Sequence, residues 1–125
     1  MKDDIYTAIA EELRRTGGID RIGVVTAPGE SAIIYAGNKD IRKYYGGGGR
    51  KSLIFSISAM GENEDQKELI EKLCGIGERL ACADFNIDGV LQPSVKINSL
   101  PVPTMHNEHY YIYTSSVEFT FFMKG

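Results

Sequence analysis

The sequence predicts an α+β fold: a mostly antiparallel sheet, one long amphipathic helix packed on one face of it, and a shorter helix at the N-terminus. Two observations carry the prediction. Leu69, Leu73, Ile76 and Leu80 recur at the spacing of one helix face, whereas LIFSISA (53–59) and HYYIYTSSVEFTFFM (109–123) alternate along their length and are rich in branched and aromatic residues. Helix, strands, helix, strands is the order of an α+β chain rather than of repeated βαβ units.

From the N-terminus, Asp3 or Asp4 can cap a first helix of about three turns, its apolar residues being Ile5, Ala8, Ile9 and Leu13, and Thr16-Gly17-Gly18 stops it. Ile22, Val24 and Val25 suit a short strand ahead of the Ala27-Pro28-Gly29 turn, and SAIIYA (31–36) suits a second. In the strand that follows, Leu53, Phe55, Ile57 and Ala59 point to one side, while Ser52, Ser56 and Ser58 point to the other. The long helix is expected over 63–83, with Asn63 as cap and acids in its first turn, where the helix dipole favours them. Its stripe is wide: beside the Leu69 row runs a second of Ile70, Cys74, Gly77 and Ala81. A short strand around 94–99, a turn at Leu100-Pro101-Val102-Pro103, and a last strand from Tyr110 complete the chain. On that last strand Tyr111, Tyr113, Ser115, Val117, Phe119, Phe121 and Met123 share one face.

Length and composition bound the function. A chain of 125 residues, 42% hydrophobic and 25% charged, fits one domain (1–125) able to bury a core without staples. A net charge of -3 and a pI near 5.4 give no overall attraction to nucleic acid or anionic membranes. Since no apolar run nears the ~18 residues of a membrane span and the N-terminus lacks a signal-peptide core, the chain is expected to fold in a cytoplasm. Cys74 and Cys82 lie eight residues apart on one helix, roughly 12 Å along its axis, so they read as reduced packing residues.

The densest chemistry is IRKYYGGGGRKS (41–52), inside a glycine-rich and polar segment of about 37–51 that reads as a flexible loop. It is not a phosphate-binding P-loop: Arg50 separates Gly49 from Lys51, and a strand follows where a helix is needed. Arg42, Lys43, Tyr44, Tyr45, Arg50 and Lys51 around the hinge Gly46, Gly47, Gly48 and Gly49 read instead as a partner-docking loop. The same residues, with Tyr110, Tyr111 and Tyr113, define the alternative, a nucleic-acid- or phosphate-binding module. No catalytic, metal or cofactor constellation is expected. His106 and His109 lack a third ligand at a familiar spacing, the carboxylates Glu62, Glu64, Asp65, Glu68 and Glu71 crowd one helix start and its solvated face, and neither cysteine has a basic neighbour to activate it.

Taken together, the short amphipathic helix, the IIYAG strand, the glycine-rich loop with basic flanks, RKSLIFSISAMGENEDQKELIEKLCGIGERL and the closing EFTFFM resemble the small minor capsid or tail terminator proteins of long-tailed bacteriophages. The resemblance runs over nearly the whole chain and lies in apolar and polar patterning, not in invariant chemistry. It implies a non-enzymatic virion protein of a phage or prophage, made in the bacterial host cytoplasm. Such a protein forms a homo-oligomeric, hexameric ring that caps the tail tube and joins it to the head connector, with no cofactor, no membrane and no specific nucleic acid. Segment 38–51 would then face the ring or its lumen. An acidic average charge suits a passage that DNA must cross without sticking.

Overall fold

The structure is a computed structural model that describes residues 2–38 and 50–123. Its elements are α1 (Lys2–Gly17), β1 (Arg21–Ile22), β2 (Ser31–Asn38), β3 (Arg50–Glu62), a single 3-10 turn at Asn63–Asp65, α2 (Gln66–Cys82), β4 (Val90–His106) and β5 (Tyr110–Met123). The five strands form one sheet in the order β1-β2-β3-β5-β4, antiparallel except for the β1–β2 pair. The α+β class with a mostly antiparallel sheet is therefore the observed one. The helices are nearly equal, 16 residues in α1 and 17 in α2, so α1 runs past the three turns its apolar residues suggested.

Alternation along β3 and β5 builds the core. Leu53, Phe55, Ile57 and Ala59 of β3 and Val117, Phe119 and Phe121 of β5 are buried together with Leu69, Leu73, Ile76 and Leu80 of α2 and Ile9 and Leu13 of α1. At two places large residues meet smaller ones across the ladder: Phe55 pairs with Val117 and Ala59 with Tyr113. Both helices share this one cluster, and the opposite face of the sheet is a ladder of hydroxyls. Ser58 bonds Thr114 at 3.0 Å, Thr114 bonds Thr104 at 2.9 Å, and Ser99 bonds Ser116 at 2.8 Å, so a one-residue slip of β5 would push polar groups into the core.

Four expectations need correction. β1 ends at Ile22 because Gly23 adopts φ 125, a conformation only glycine takes easily, and its N–H then bonds the Ile33 carbonyl at 2.9 Å. Val24 and Val25 consequently lie outside the sheet. The second row of the α2 stripe is mostly uncovered: Gly77 is buried and Cys74 half-buried, while Ile70 and Ala81 are exposed. The reason is that α2 lies chiefly over β4, the sheet's edge, and one flank of the helix looks past it. Asn63 belongs to the 3-10 turn, and Asp65, which precedes α2, makes no capping bond with its side chain. Finally, Leu100–Pro103 is no turn. β4 passes straight through it as a 17-residue strand with register shifts near Pro93, Ser99 and Pro103, which is possible because an edge strand has one side with no ladder to lose.

Candidate docking surface

Of the expected docking loop, Arg42, Lys43, Tyr44, Tyr45, Gly46, Gly47, Gly48 and Gly49 lie outside the described residues. The segment is shorter than the sequence suggested, since Gly37 and Asn38 extend β2 and Arg50 and Lys51 open β3. Arg50 is exposed and paired in register with Phe122; Lys51 is half-buried opposite Phe121. Beside them Leu91 pairs with Phe122, and both side chains are exposed on the sheet face away from the helices. The two basic residues are thus fixed on a strand rather than carried by a hinge.

One turn of the ladder further in lies a group that patterning alone treated as an outward polar residue. Glu118 is 3% exposed, although it sits on the helix-free face of β5. Ser52 Oγ donates to its Oε2 at 2.6 Å, Thr120 Oγ1 donates to the same oxygen at 3.3 Å, and Lys96 Nζ stands 3.8 Å from Oε1. A carboxylate taken out of water needs such donors, because its desolvation costs several kcal/mol that only hydrogen bonds and an opposite charge can offset. A lone acid in an otherwise hydroxyl and aromatic strand was the available signal.

The edge strand β4 carries several exposed large apolar residues. Leu100, Val102 and Met105 are 67%, 52% and 64% exposed; Leu100 lies with Ile97 on the α2 side of the sheet, and Val102 and Met105, opposite Thr114 and Ile112, on the helix-free side. Between the Ile97–Pro101 stretch of β4 and α2 is a cleft of about 90 Å³ whose walls include Leu73, Cys74, Gly77, Ile97, Leu100 and Pro101. Gly77 lies close under β4: a Cβ there would touch Ile97 Cγ1 at 3.4 Å, about van der Waals contact. Both cysteines are free; Cys74 lines this cleft and Cys82 is exposed, which makes only the first a packing residue.

The remaining sequence candidates are held in local structure. Asn107 Oδ1 accepts the backbone N–H groups of His109 and Tyr110 at 2.8 Å each, forming the β4–β5 turn, and His106 stacks on Tyr111 with ring centroids 5.2 Å apart. Among the described residues no group of three or more His, Cys, Asp or Glu side chains is placed to hold a metal. Tyr113 is buried and donates to Gln66 Oε1 at 2.9 Å, and Tyr111 is half-buried against the core. Glu62, Asp65 and Glu68 line an open depression with Lys72, whose ammonium donates to the Gly29 carbonyl at 3.0 Å. Among the described residues no helix is long and apolar enough to cross a membrane.

Glu30 closes the turn before β2. Its Oε1 accepts the Thr26 N–H at 2.9 Å and faces Arg21 at 3.2 Å, and the Thr26 N–H above all holds its carboxyl below the usual range. A depressed folded-state value means that this contribution is present at neutral pH and is lost as pH falls through the lowered value. Glu30→Gln should accordingly flatten the acid limb of a thermal-stability profile taken from about pH 7 to pH 3. An unchanged acid limb would remove Glu30 from the account.

Neither a model of a known protein family nor a curated protein sequence matches this chain.

Proposed function

We propose that the chain is a non-enzymatic virion structural protein of a phage or prophage, a tail terminator or minor capsid subunit that closes into a ring at the head–tail joint. The observation that carries this reading is the set of exposed apolar side chains on the edge strand β4, Leu100 on the α2 side and Val102 and Met105 on the helix-free side. Apolar side chains left in water on both faces of an edge strand suit burial against a further copy of the chain. The α+β fold, with its sheet and helices in the order that resembles the phage proteins, supports the same assignment. In a ring, the exposed Arg50 that opens β3 is available to the tail tube or the connector.

Light scattering with negative-stain imaging tests the reading. The wild-type protein should form a discrete ring-sized species, alone or on addition of tail tubes. Leu100→Asp with Val102→Asp should leave circular dichroism native and yield a monomer, since two carboxylates in a buried apolar contact would lack partners. A wild-type protein that stays monomeric even with tail tubes, or a double variant that still assembles, would overturn the proposal.

Charge reversal examines the joint separately. Arg50→Glu with Lys51→Glu should allow rings but reduce the joining of tails to heads at least tenfold in a complementation assay, as attraction becomes repulsion. Normal infectious yield would place the contact elsewhere. If inorganic polyphosphate instead raised the melting temperature of the wild type and not of this variant, the phosphate-binding alternative would be preferred.

A further inference from the structure

We draw no further inference here: the strongest candidate, the open depression of about 430 Å³ between the Pro28–Gly29 turn and the start of α2, gathers Glu62, Asp65, Glu68 and Lys72 but rests on an acidic cluster at a helix N-terminus with no second observation that points to a ligand.

Discussion

Phe119→Ala should cost about 3–5 kcal/mol of unfolding free energy, the range for removing a fully buried aromatic ring. Phe119 has no exposed surface, lies on the strand flanked on both sides, and is opposite Leu53 on β3 and Val95 on β4. Its ring meets Phe85 edge-on at 5.7 Å and Phe121 at 5.5 Å, contacts that a methyl group cannot replace. Three strands and the segment after α2 converge on this point, so the surroundings have little freedom to collapse into the void. Phe122→Ala is the matched control: the neighbouring ring is 37% exposed on the other face and should cost no more than about 1.5 kcal/mol. Urea unfolding of the two variants decides it. Equal losses would mean that the faces of β5 are assigned the wrong way round.

The second large effect is expected where a side chain is added. Gly61 is buried near the end of β3, and a Cβ there would stand 2.9 Å from Leu69 Cδ2 and 3.0 Å from both Cδ1 and Cγ. Because the crowding reaches Leu69 Cγ, a rotation of the methyl groups alone cannot relieve it, and the whole Leu69 side chain or α2 must shift. Gly61→Ala should therefore destabilise by about 1–3 kcal/mol. Leu69→Ala alone should cost about 2–5 kcal/mol by leaving a cavity. Together they should cost clearly less than the sum, because the new methyl occupies part of the space the leucine vacates. A double-mutant cycle measures this coupling directly. Strict additivity would show that Gly61 is tolerated as glycine for a reason other than the approach of α2.

How much of this was legible in the sequence depends on how local the determining physics is. The faces of β3 and the Leu69–Leu80 row were readable, because alternation and helical spacing are set within a few residues by which side must be dry. β4 was not readable, since Pro101 and Pro103 break a strand anywhere but at an edge, and edge position is decided by β5 lying between β3 and β4 in the sheet. The narrowness of the α2 stripe has a similar origin: Ile70 and Ala81 are helix-compatible, and only the offset of α2 toward β4 leaves them uncovered. For the candidate site, sequence singled out the basic residues that flank the glycines, and of these Arg50 and Lys51 stand on β3. Glu118 and the exposed apolar residues of β4 were missed, because burial on the helix-free face and exposure along an edge both follow from tertiary placement.

Pro93, Pro101 and Pro103 on β4 bear on how the protein behaves when concentrated in a cell. An open strand edge is a template onto which further strands can add, and the growth of such stacks is one route to amyloid. Each proline removes an amide donor, and the register shifts twist the ladder between them, so no long run of regular backbone is offered to a passing strand. The edge can therefore be greasy without being sticky in the manner of a fibril. Contacts made there would rest on side-chain fit rather than on backbone pairing.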